Sequence, residues 1–125
     1  MAKVPFCDGM VLLHNPRCSK SRAAKALLEE RGVAFECRLY LERPLTGAEL
    51  RELHQRLGRP VREWVRRGEA AYAEAGLSPQ SSDAEGLAAI ERFPVLLERP
   101  ILITPRAAAV GRPPETILPL LDAGA

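Results

Sequence analysis

The strongest constraint on the fold lies between residues 11 and 41, where three secondary-structure patterns follow one another almost without connectors. Val11-Leu12-Leu13 is an unbroken apolar run of the kind shown by a strand buried on both faces. His14-Asn15-Pro16-Arg17 breaks it. From Cys18 to Arg31, Ala23, Ala24, Leu27 and Leu28 fall on one helical face, and Gly32 ends the pattern. Val33, Phe35, Cys37 and Leu39 then alternate with more polar neighbours in a second strand that reaches Leu41. A strand, a helix and a strand so closely joined imply a parallel pair with a right-handed crossover.

The middle of the chain changes period. Thr46-Gly47-Ala48-Glu49 is a capping-box pattern, after which Leu50, Leu53 and Leu57 stand at helical spacing before Gly58. Val61, Trp64 and Val65 predict a short helix after Pro60. Gly76 to Ser82 reads as loop. Ser82-Asp83-Ala84-Glu85 is a second capping box, opening a helix that turns Leu87 and Ile90 inward and stops near Pro94. Residues 43–93 are therefore expected to form an all-helical insertion. After Arg99-Pro100 the strand signal returns at Ile101 to Thr104, with a turn at Pro105-Arg106 and a hairpin partner at Ala107 to Gly111. Pro113-Pro114-Glu115 starts a last helix, with Ile117, Leu118 and Leu121 as its apolar face.

The predicted class is α/β: a βαβ half and a ββα half with helices between them, which is a thioredoxin-like order. No repeat or low-complexity segment marks a second domain, so residues 1–125 are expected to form one, with residues 1–9 a flexible extension.

Composition narrows the function classes. A net charge of +2 is too small to argue for nucleic acid, and no basic stripe is concentrated enough to track phosphates. No apolar run approaches the length of a membrane span. Three cysteines without a signal-peptide pattern argue against a disulfide framework and for a reducing cytoplasm. Two histidines and scattered cysteines have no metal-ligand spacing.

Chemistry concentrates at Cys18. It stands where a strand gives way to a helix, so unpaired backbone N–H groups and the helix dipole favour negative charge there. Arg17, Lys20 and Arg22 flank it, and all these effects favour thiolate, the nucleophilic form. Ser21, three residues on, is placed to donate a hydroxyl hydrogen bond to that thiolate. The same N–H groups can hold an incoming oxyanion. A small apolar residue buried at a helix start is the plain alternative, but three cations beside an inert thiol would be a poor arrangement. The segment Cys18-Ser19-Lys20-Ser21 is not the Cys-x-x-Cys of a dithiol redox site, and Cys18 to Arg22 is too short a span for a phosphatase-like loop.

The segment from His14 to Arg22 resembles the active-site segment of the glutaredoxin-linked arsenate reductase family. The likeness continues through Leu39-Tyr40-Leu41-Glu42, Tyr72 to Leu77, Glu98-Arg99-Pro100-Ile101 and Gly111 to Glu115. It implies a thioredoxin-like fold with a helical insertion. It also implies a mechanism in which Cys18 attacks arsenate, glutathione enters as co-substrate and glutaredoxin resolves the mixed disulfide. By the same resemblance Arg66, Arg99 and Arg112 hold the oxyanion, with Arg62 and Arg67 close enough in sequence to compete for the place of Arg66. Guanidinium forks suit a tetrahedral oxyanion. Pro100 matches the proline that is cis beside the nucleophile, and His14 matches a histidine touching the active-site loop, so His14, Ser21 and Arg22 are expected to support the thiolate. Arg17-Cys18-Ser19-Lys20 looks most like a shorter subgroup of this bacterial family. A monomer with no bound cofactor or metal is expected. Two other readings stay open: a thiol reductase of other oxyanions or of glutathione mixed disulfides, and an RNA-polymerase-binding regulator of a related branch. The redox switch of that branch needs a second cysteine where Ser21 stands.

Overall fold

The computed structural model describes residues 9–122. The extension expected over residues 1–9 lies outside them except for Gly9, and so does Cys7. Strands β1 (Met10–His14), β2 (Phe35–Leu39), β3 (Ile101–Ile103) and β4 (Ala108–Val110) form one sheet in the order β2-β1-β3-β4. The first pair is parallel, running from Met10 opposite Phe35 to His14 opposite Leu39, with helix α1 (Ser19–Glu30) as the crossover. β3 lies antiparallel to β1, with Leu12 opposite Leu102, and β4 returns antiparallel to β3. Strand, helix and hairpin thus follow the expected order; β1 extends one residue beyond its apolar run at each end, whereas β2, β3 and β4 are shorter than their patterns.

Alternation along the strands builds two cores. Leu12 and Leu102 face α1, where they pack with Ala24, Leu28 and Ile117. Val11, Leu13, Ile101 and Ile103 face the other way, into a larger cluster with Tyr40, Leu50, Leu53, Trp64, Leu96 and Leu97. β1 is covered on both faces, which is why its sequence is a run rather than an alternation. Each fully buried leucine or isoleucine here contributes about 1.5–3 kcal/mol of apolar transfer energy. On α1 the inward face is narrower than its sequence pattern. Ser21, Ala24 and Leu28 are buried, whereas Ala23 is exposed and Leu27 only half-buried.

The larger core is roofed by α2 (Gly47–Leu57), α3 (Ala70–Glu74) and α4 (Asp83–Arg92). Both capping boxes form: the Thr46 and Ser82 hydroxyls accept from the N–H groups of Glu49 and Glu85, whose carboxylates reach back. The segment between α2 and α3 differs from the expected helix. Val61–Glu63 makes a single 3-10 turn, and Val65 then pairs with Leu97 in an isolated antiparallel bridge. The reason is long-range. The Arg66 N–H donates to the Leu96 carbonyl at 2.8 Å and the Glu98 N–H to the Trp64 carbonyl at 3.1 Å, bonds that a helix would have forbidden. The insertion is therefore not wholly helical.

Arg38 is a second departure. Alternation sets it opposite to Cys37, on the insertion side, yet it is buried. Its guanidinium makes a bidentate pair with Glu49 (2.6 and 2.9 Å) and donates to the Arg43 and Pro44 carbonyls. A buried arginine needs that full set of acceptors.

The last segment starts as a 3-10 turn at Pro114–Ile117 and continues as α5 (Leu118–Asp122), with Ile117 buried against α1's core.

Candidate active site

The parallel register brings the carboxyl ends of β1 and β2 to one edge of the sheet, where chain crossovers leave room for chemistry. His14 to Cys18 turns there. Cys18 is the N-cap residue of α1, half-buried, with extended backbone angles of φ −97° and ψ 123°. Its N–H donates to the Asn15 carbonyl and its carbonyl accepts from the Arg22 N–H, both at 3.0 Å. The Arg17 N–H donates to Asn15 Oδ1 at 3.0 Å, which fixes the turn.

Burial works against the charged form of Cys18. The Ser21 N–H, the Arg99 guanidinium and the Lys20 N–H outweigh it, so the thiol lies below the ordinary cysteine range. The sulfur completes no capping hydrogen bond, and the two amides act on it as the partial charges of an unfinished helix end. Arg112 Nη1 stands 4.0 Å from Sγ, at the long limit of an N–H···S contact, and donates to the Arg99 carbonyl at 3.0 Å.

The β3–β4 hairpin delivers both arginines. Arg99 precedes Pro100 through a cis peptide, and Arg112 precedes Pro113 through another, which the sequence reading did not foresee. The Gly111 N–H donates to the Pro100 carbonyl at 2.8 Å, and a Cβ on Gly111 would lie 2.9 Å from Pro100 Cγ. Only glycine lets the two segments approach so closely, and that approach sets Arg112 over Arg99.

Arg66 joins the group through carboxylates and is not in contact with sulfur. Its Nη1 donates to Glu98 Oε1 at 2.7 Å and its Nε to Glu69 Oε2 at 3.1 Å. Glu98 Oε1 also lies 3.7 Å from Arg112 Nη1, and Glu69 Oε2 lies 3.9 Å from Arg99 Nη1. The Val65–Leu97 bridge sets Arg66 beside Glu98. Arg62 and Arg67, its sequence competitors, are exposed.

Three expected supports of the thiolate act differently from expectation. The Ser21 hydroxyl is buried and shares a 2.7 Å hydrogen bond with His14 Nδ1, while accepting from the Asn15 N–H at 3.0 Å. It is the backbone N–H of Ser21 that acts on the sulfur, because the first turn of α1 aims its amides there and its side chain into the sheet. His14 therefore braces the loop through Ser21; burial, with Lys25 and Arg22 nearby, holds its pKa down and the ring neutral at neutral pH. Arg22 turns away and donates to the Pro16 carbonyl at 2.8 Å.

The sequence reading missed Glu69, Glu98 and Tyr40. Tyr40 and Glu98 stand inside blocks that carry the family resemblance, which could have pointed to them, and the parallel register sets Tyr40 one residue beyond the strand end, level with Asn15. Among the described residues, no three of His, Cys, Asp and Glu gather as a metal site would require. No helix there is long and apolar enough to cross a membrane.

The two described thiols differ in environment, which gives a test. Cys37 lies under α1; burial, together with Glu29 and against Lys25, pushes its thiol up. Alkylation of Cys18 should therefore rise with pH about a midpoint below the roughly 8.5 of a free cysteine, and that of Cys37 about a midpoint above it. Residue-resolved mass spectrometry of alkylation rates across pH checks both. Coincident midpoints would remove the activation argument.

The sequence profile of the ArsC family matches residues 13–120. An arsenate reductase of Neisseria meningitidis is 47% identical over 108 residues, spanning 85% of this chain and 92% of the relative. One from Haemophilus influenzae is 40% identical over 114 residues, spanning 90% and 98%. The solved structure of an arsenate reductase from Vibrio cholerae superposes with a TM-score of 0.82 at 44% identity, covering 88% of this chain and 95% of that one. These neighbours carry the thioredoxin-like architecture described above, and with a profile match over nearly the whole described length, the chain belongs to the ArsC family.

Proposed function

We propose that this protein reduces arsenate to arsenite through Cys18, with glutathione and glutaredoxin supplying the electrons. The observation that carries the reading is an acidified thiol at the start of α1 with Arg99 and Arg112 beside it, in a chain with curated relatives named arsenate reductases at 40–47% identity. The Cys18 thiolate adds to arsenic; one arsenate oxygen, protonated, leaves as water, and an S–As bond forms with arsenic still As(V). A glutathione thiolate then bonds to the Cys18 sulfur. The electron pair of the S–As bond passes to arsenic, which departs as arsenite, As(III). Glutaredoxin takes the glutathione from the resulting mixed disulfide and restores the thiol.

Guanidinium groups stabilise the anion through charge-assisted bonds, and the helix N-terminus stabilises the leaving thiolate. A groove of about 530 Å³ beside the cysteine loop, lined by Asn15, Pro16, Arg17, Leu41 and Glu42 among others, offers room for a tripeptide thiol. The enzyme works as a monomer without bound cofactor, in the reducing bacterial cytoplasm. The test is arsenite formation by the purified chain with arsenate, glutathione, glutaredoxin, glutathione reductase and NADPH. Arsenite should appear only when arsenate, glutathione and glutaredoxin are all present, while glutathione reductase and NADPH regenerate the oxidised glutathione and sustain turnover. Its absence from the complete mixture would overturn the proposal.

A further inference from the structure

Tyr40 is 1% exposed, and its hydroxyl has no hydrogen-bond partner among the described residues. Such a group costs stability, since a buried donor forfeits its bonds to water, and native structures rarely tolerate one without a use. Its position is informative. Leu39 pairs with His14 in the parallel register, so Tyr40 follows at the same sheet edge as Asn15 and the Cys18 loop. Alternation turns it to the insertion side, the side of Trp64, Val65 and Leu97, next to the bridge that holds Arg66. Its hydroxyl lies within electrostatic reach of Arg99, Arg66 and Cys18, and beside the Asn15 side chain; burial above all pushes its pKa up. It therefore stays protonated and can donate. The other unpartnered buried side-chain atom among the described residues is Nε of Arg99. The two unused donors thus belong to side chains that both act electrostatically on Cys18.

We propose that Tyr40 is an oxyanion-contacting residue, whose hydroxyl donates a hydrogen bond to an oxygen of the anion bound at Cys18. Tyr40 and Arg99 Nε supply the two bonds that the free protein leaves unmade. A neutral donor suits this place. It binds an anion without adding another buried charge to a cluster already crowded with guanidinium groups.

This rests on an oxyanion binding at Cys18, so the experiment separates that premise from the role of Tyr40. Arsenate, and sulfate as an unreactive oxyanion, are titrated against the rate of Cys18 alkylation in wild type and in Tyr40→Phe, and the thermal midpoint of each protein is measured. Protection of the wild-type thiol establishes the premise; no protection by either anion overturns premise and proposal together. Given protection, Tyr40→Phe should need about tenfold more anion for the same effect, because a hydrogen bond to a charged group is lost. It should melt no lower than wild type, because the orphaned hydroxyl is gone. Equal protection in both proteins overturns the proposal. So does a lower thermal midpoint with unchanged protection, which would make the hydroxyl structural.

Discussion

Serine at position 18 should abolish arsenate turnover, lowering the rate by at least ~10³-fold, while leaving the fold intact. The hydroxyl is nearly isosteric, so the loop geometry and the amides of Lys20 and Ser21 remain. A serine hydroxyl ionises far above neutral pH, however, and the helix end that suffices to acidify a thiol does not suffice for an alcohol. Losing the nucleophile removes the covalent route, and effects of that kind are among the largest that single substitutions produce. Cys37→Ser should keep the wild-type rate. Cys37 pairs with Leu12, two residues short of the strand end, and faces α1 beside Lys25 and Glu29. Steady-state assays of both variants, with mass spectrometry of the wild type during turnover, decide the matter. A Cys18–Cys37 disulfide accumulating in the cycle would show that the electrons are relayed internally.

Alanine at Arg99 or Arg112 should each lower kcat/KM for arsenate by about ten- to a hundredfold, as expected when a hydrogen bond to a charged group, about 1.5–3 kcal/mol, is lost. The two variants should differ in one respect. Arg99 acts on the thiol through both its hydrogen bond and its charge. Arg99→Ala should therefore also move the midpoint of Cys18 alkylation upward, reducing the thiolate fraction at neutral pH. Arg112→Ala should leave that midpoint nearer its wild-type place, because its contact with sulfur is a long one. Lysine at either position restores charge without the planar fork, so recovery should be partial. Unchanged kcat/KM in both alanine variants would place the anion elsewhere.

Local chemistry made much of the fold readable. A run and an alternation separated by one helical period specify the β1–α1–β2 unit, and two capping boxes mark the starts of α2 and α4 where they form. Legibility fails where backbone bonds cross the chain. Val61, Trp64 and Val65 lie on one face of an ideal helix, yet the bonds to Leu96 and Glu98 convert that face into a turn and a bridge. α3 is five residues of mainly alanine with no side-chain cap, too short for any period to announce it. Arg38 reads as an outward residue because its partner, Glu49, lies on another element. The site divides in the same way. Cys18 is legible from its own neighbours, and Arg99 and Arg112 from the motifs around them. Glu69, Glu98 and Tyr40 owe their places to the bridge and the strand register, which no stretch of sequence displays.

The carboxylates between the arginines have a consequence for selectivity. Three guanidinium groups face two glutamates and, once Cys18 ionises, one thiolate, so the resting cluster carries no net charge. On the proposed function, an arriving anion would not fill an empty positive well; it would exchange with counter-ions that are fixed to the polymer, as on an ion-exchange resin whose mobile ion has been tethered. Chloride offers one point of contact and cannot displace two anchored carboxylates at once. A tetrahedral oxyanion presents several oxygens to several forks, and so selection falls to shape and valence of contact rather than to charge. Salt in the surrounding medium competes poorly with a counter-ion that cannot diffuse away.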